Sequence, residues 1–158
     1  MRSRFIDCAL SLLIPCPFRE ATTDDVQEWE HLLRNPAEVE LKTDEIYKRL
    51  FYRDGVLQMQ LSNAFNPNLL LVGTTNGLVH AFVYLRTRMG GELVFQCSKC
   101  LYENSKLPGE KAEVVLLDGR IGYEKSNHHC CCRPYSKPEM IRIQLERRIR
   151  LITKVCSS

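Results

Sequence analysis

The sequence predicts an α+β protein: a small antiparallel β-sheet flanked by short N-terminal helices and a C-terminal helix. Three observations predict it. Apolar residues recur at helical spacing near both ends of the chain. Between them, short apolar or alternating runs are punctuated by Gly, Asn and Asp turn signals. Cysteines and histidines collect at the ends of those runs, as Cys97-x-x-Cys100 and as His128-His129-Cys130-Cys131-Cys132.

The chain has 158 residues, one domain's worth, which excludes a large multidomain enzyme. Hydrophobic and charged fractions of 44% and 26% are ordinary for a globular chain, so wholesale disorder is excluded as well. No apolar run approaches the roughly 18–20 residues that span a bilayer, and no membrane association is expected.

In chain order, residues 1–21 form an arm. Arg2 and Arg4 precede a short apolar run, but Asp7 interrupts it and no small-x-small cleavage site follows. Residues 22–53 form an acidic helical segment. Thr22, Thr23 and Asp24 supply caps for a helix over 22–34 carrying Val26, Trp29 and Leu33, with a break at Asn35-Pro36. Thr43 caps a second helix through Phe51, with Ile46 and Leu50 on one face.

Residues 54–134 form the β-domain. Strands are expected at 56–61, 69–72, 78–88 and 92–97, with turns at Thr74-Thr75-Asn76-Gly77 and Gly90-Gly91. A loop follows Cys100, and 113–117 and 120–125 make a hairpin about Asp118-Gly119. Residues 135–158 form a basic amphipathic helix, with Pro138 in its first turn and Ile141, Leu145, Ile149 and Ile152 on its apolar face.

The cysteines decide the chemistry. Eight in 158 residues fits either a disulfide framework or thiols around a metal. Three consecutive cysteines cannot bridge one another without severe strain, which favours reduced thiols in an intracellular protein. Zinc takes four ligands in a tetrahedron and prefers thiolate and neutral imidazole. The spacing Cys97-x2-Cys100-x27-His128-x-Cys130 offers two such pairs at the ends of returning strands, a closed structural site. His129 with Cys131, or Cys132 as a substitute, are geometric alternatives for the second pair. A redox Cys-x-x-Cys would instead stand ahead of a helix in a βαβ unit. Cys8, Cys16 and Cys156 read as ordinary small apolar residues.

The fold class is thus an α+β chain with a zinc-stapled sheet, holding one structural Zn2+. No catalytic residues are assigned: the sequence lacks a Ser-His-Asp order, a phosphate-binding glycine loop and a His-Glu-x-x-His helix. Residues 1–80 carry 8 Lys/Arg against 11 Asp/Glu, net −3, whereas 81–158 carry 14 against 8, net +6. The basic half is the half with the cysteine–histidine cluster, which points to an anionic partner.

The runs Asn66-Pro67-Asn68-Leu69, Phe82-Val83-Tyr84-Leu85-Arg86, Phe95-Gln96-Cys97, Lys111-Ala112, Asp118-Gly119 and His128-His129 resemble, in order and spacing, the FLYWCH-type zinc finger. The resemblance covers roughly residues 62–134. Phe95 stands where that family usually has Trp, Glu110 where its second cysteine often sits, and His128-His129-Cys130 replaces its closing His-x-His.

The resemblance implies a sheet related to WRKY- and GCM-type DNA-binding domains, which insert a sheet edge into the major groove. It makes Arg86, Arg88, Lys99, Lys111 and Arg120 the candidate contacts to double-stranded DNA, arginine reading guanine and lysine neutralising phosphate. A nuclear transcription regulator or transposon-derived factor is the expectation. The rival is a protein-interaction adaptor that engages its partner through the acidic helices or the C-terminal helix.

Overall fold

A computed structural model describes residues 17–102, 111–125, 128 and 132–156. A 3-10 turn over Pro17–Glu20 leads into α1 (Thr23–Arg34), α2 (Pro36–Leu41) and α3 (Thr43–Phe51). Thr22 caps α1 through a capping box: its hydroxyl accepts from the Asp25 N–H while the Asp25 carboxylate accepts from the Thr22 N–H. Where a simple break was expected at Asn35-Pro36, α2 forms with Pro36 in its first turn, where the missing N–H costs nothing. A two-stranded ribbon, β1 (Tyr52–Arg53) with β2 (Val56–Leu57), then turns the chain. The expected strand over 56–61 therefore stops at Leu57. Residues beyond it are engaged elsewhere, Gln60 by a bridge to Leu69 and Leu61 by the C-terminal helix.

The main sheet is antiparallel with strands in sequence order: β3 (Leu69–Gly73), β4 (Val79–Thr87), β5 (Leu93–Cys97), β6 (Glu113–Leu117) and β7 (Arg120–Lys125). Asp118 and Gly119 take φ of 50° and 77°, the paired left-handed conformation of a tight hairpin turn, and so join β6 to β7. A short helix, α4 (Ser98–Tyr102), follows β5 directly and runs past Cys100, after which a loop was expected. The last element is α5 (Lys137–Cys156).

Period-two alternation sends the two faces of the sheet to separate cores. Leu69, Leu71, Val79, Ala81 and Val83 pack with Trp29, Ile46, Phe51, Met140, Ile141 and Leu145 from the helices. Leu70, Phe82, Leu93, Phe95, Cys97, Cys100, Ala112 and Val114 form the second core on the other face. The α+β class with a flanked antiparallel sheet is as the sequence predicts.

Helix α5 is tied to the 58–62 segment by polar side chains. Gln144, fully buried, accepts from the Leu61 N–H at 3.0 Å and donates to the Leu61 carbonyl at 2.9 Å. Arg148, 3% exposed, donates to Leu50 O at 2.9 Å and Gln60 Oε1 at 2.8 Å. Its guanidinium lies 4.3 Å from the Phe18 ring centroid and 5.2 Å from that of Trp29.

The alternation of faces along β4 is interrupted once. A β-bulge between Tyr84 and Arg86 inserts Leu85 as an extra residue, so Arg86 pairs with Val94 and changes face. A second bulge at the end of β7 places Lys125 opposite Glu113.

Candidate metal centre

β5 ends at Cys97, whose N–H is held by Ala112 O at 2.9 Å. Helix α4 begins at the next residue, so Cys100 stands three residues on, within one helical turn and on the same side. Both thiols are fully buried in the second core. His128 lies just beyond β7, its ring stacked on His80 of β4 and edge-on to Phe82 at 5.8 Å. Beyond Cys132 the chain returns to β4, where Tyr135 and Val79 exchange backbone hydrogen bonds of 2.7 and 2.8 Å. That bridge anchors the chain three residues after Cys132.

The groups converge. Cys97 Sγ and Cys132 Sγ are 3.6 Å apart, too far for a disulfide. His128 Nδ1 lies 3.5 Å from Cys132 Sγ and 3.7 Å from Cys100 Sγ. The Cys100 thiol also interacts with those of Cys97 and Cys132. His80, Cys97, His128 and Cys132 each offer a ligand atom within 4.8 Å of the others, a cluster that could bind one metal ion.

The local electrostatics favour neutral, protonated thiols and neutral rings while no cation is bound. Burial is the largest cause throughout: it pushes the Cys97 thiol up against an opposing hydrogen bond from the Cys100 backbone, and pushes the Cys132 thiol up with the Cys97 and Cys100 sulfurs adding to it. Burial likewise lowers His128, and lowers His80 to about 4 with help from His128 and Lys99. A divalent cation inverts this logic, because a coordinated thiol is deprotonated outright. His128 Nε2 is buried with no acceptor among the described residues.

Of the sequence-derived ligands, the structure brings Cys97, Cys100 and His128 together. Cys130, like His129 and Cys131, lies outside the described residues. The described thiol that joins the cluster from that side is Cys132. His80 was missed: it lies seventeen positions before Cys97 and outside any spacing motif, and only strand pairing within the sheet brings it near.

The five cations proposed for DNA occupy different settings. Arg86 is exposed and pairs with the buried Glu113 at 3.6 Å. Arg88 is held between Glu92 at 3.6 Å and Glu124 at 3.1 Å. Lys99 lies over the Tyr135 ring at 3.9 Å and donates to Arg133 O at 2.8 Å, at the opposite end of the β4–β5 pair from Arg86. Lys111 is half-buried, and Arg120 is exposed on the edge strand β7. The two bulges give three rows of cross-strand partners: Arg86 with Val94, Val115 and Gly122; Gln96 with Glu113 and Lys125; Leu117 with Arg120. Arg86, Arg120 and Lys125 therefore share one face of the sheet. Lys125 has no signal in the sequence pattern, because a regular strand would place it opposite in sense to Arg120.

No protein-family model, curated protein or solved structure matches the chain. Among the described residues no helix is long and apolar enough to cross a membrane.

Proposed function

We propose that the protein is a structural-zinc protein whose stapled sheet binds double-stranded DNA. The ligands in this reading are Cys97, Cys100, Cys132 and His128 through Nδ1. The carrying observation is the spacing of those atoms. Zinc bonds of about 2.3 Å to sulfur and 2.0 Å to nitrogen in a tetrahedron require about 3.8 Å between sulfurs and about 3.5 Å between sulfur and nitrogen. The corresponding separations are 3.6 Å, and 3.5 and 3.7 Å. Three thiols and one imidazole also suit zinc better than a hard cation. A closed set of four protein ligands leaves no open position for catalysis.

His80 is left out of the set on geometry. Its ring and that of His128 are stacked within 16° of parallel, with centroids 3.7 Å apart. Nitrogen lone pairs lie in their ring planes, so an ion in the plane of one ring sits out of the plane of the other.

The DNA reading is supported by β7, an edge strand whose six residues are all exposed and which carries Arg120 and Lys125 on the face of Arg86. It also agrees with the FLYWCH-type resemblance and its implied nuclear role in transcription or transposon-derived machinery. The pairing of Arg86 and Arg88 with Glu113, Glu92 and Glu124 favours the second reading, a zinc-stapled adaptor for a protein partner. Titration of fluorescent random duplexes with the zinc-loaded protein separates the two. Binding that weakens steeply with salt supports the DNA reading, and no binding at low salt leaves the adaptor.

A further inference from the structure

Between the sheet and α5 lies a cavity of about 230 Å3 that the metal reading does not use. Its polar wall is made by Ser62, Asn63, Ser98, Lys99 and Arg147. Leu69 and Val83 of the sheet line its apolar side. The lining contains two cationic side chains and no carboxylate.

Arg147 is the informative residue. It is half-buried, and one Nη1 hydrogen bond of 2.7 Å, donated to Leu61 O, anchors it. A guanidinium has five N–H donors. Among the described residues the remaining donors meet no carboxylate, and burial lowers the side chain's pKa with only Tyr135 opposing. A desolvated, uncompensated guanidinium is costly unless an anion answers it. Lys99 Nζ approaches the same cavity from the α4 side, tethered at 2.8 Å to Arg133 O.

We propose that this cavity binds a phosphate group, with the Arg147 guanidinium as bidentate donor, Lys99 as the second charge, and Ser62, Asn63 and Ser98 as neutral partners. A planar fork and a point charge on one tetrahedral oxyanion are the usual division of labour between arginine and lysine. The volume lies below the roughly 300 Å3 at which pockets for drug-sized ligands begin, which limits the occupant to a single phosphate group. The phosphate is either free or carried by a DNA backbone.

Calorimetric titration of the full zinc-loaded chain with sodium phosphate, against sodium chloride at matched ionic strength, tests this. Saturable binding to about one site per chain in the millimolar range is expected, weakened at least about tenfold in Arg147→Gln. Because Arg147 also holds the Leu61 carbonyl, Lys99→Gln is the second variant, and circular dichroism confirms that each is folded. A response that does not saturate, that chloride reproduces, or that survives both substitutions in folded protein overturns the proposal. A duplex-DNA arm tells the sources apart. A backbone phosphate predicts competition by free phosphate and a salt slope reduced by about one in Arg147→Gln, whereas a free phosphate predicts neither. The phosphate arm is read without DNA, so its outcome is independent of the DNA reading.

Discussion

His80 and His128 stack face to face, with ring centroids 3.7 Å apart and planes within 16°. In the proposed ligand set His80 supports the ring that turns Nδ1 towards Cys100 and Cys132, and Cys100 is the fourth ligand. Replacing His80 with Phe keeps the stack, and metal affinity is expected to stay within about tenfold of the native value. Cys100→Ala is expected to lower affinity by more than about 100-fold. Competition with a chromogenic zinc chelator measures both.

Metal uptake is expected to release protons. Cys97 and Cys132 have raised pKa values, so both thiols hold their protons at neutral pH before a cation enters. Binding must displace them, and affinity rises with pH. Titrations in two buffers of different ionisation enthalpy give the proton count, expected at two or more per ion.

The metal-free protein is expected to lose stability as pH falls from 6.5 to about 4. His80 takes up a proton near 6.5 in the unfolded chain but only at about 4 when folded. Between those values the unfolded state binds more protons, so acid favours it. His128, lowered in the same direction, adds to the effect. Urea unfolding of the chelator-treated chain across this window measures the loss, and His80→Phe is expected to flatten it.

Much of the fold was legible because local signals agree with it. Thr22 caps α1, Pro36 punctuates, Asp118-Gly119 turns β6 into β7, and the apolar stripe of α5 begins as the sequence predicts. What was not legible depends on tertiary partners. The stretch after Leu57 alternates like a strand, yet Leu61 gives its backbone groups to Gln144, a polar residue eighty-three positions away. Bulges have no signature in a simple period-two pattern, so the faces of Arg86 and Lys125 could not be read. At the metal site, the Cys97-x-x-Cys100 pair was legible from spacing alone. The place of Cys132 in the cluster was not, because it depends on where the Tyr135–Val79 bridge anchors the chain.

The Gln144–Leu61 exchange yields a stability prediction. Gln144→Leu leaves the buried N–H and carbonyl of Leu61 without their Gln144 partner, although Arg147 still donates to that carbonyl. A loss of about 2–3 kcal/mol is expected from urea unfolding of the zinc-loaded protein.

For DNA, the shared face of Arg120 and Lys125 predicts a joint effect. Replacing both with Ala is expected to reduce the salt slope of binding by about two, at roughly 0.9 per lost phosphate contact. Arg88→Ala is expected to leave it unchanged, because Glu92 and Glu124 already occupy that guanidinium. Anisotropy titrations over a salt series give the slopes.

X-ray absorption at the zinc edge tests the central claim most directly, because it counts sulfur and nitrogen neighbours on the bound ion. Cys97, Cys100, Cys132 and His128 predict three sulfurs at about 2.3 Å and one nitrogen at about 2.0 Å. Two sulfurs with two nitrogens would place His80 in the shell instead of Cys100, and a chain that retains no zinc would remove the site altogether.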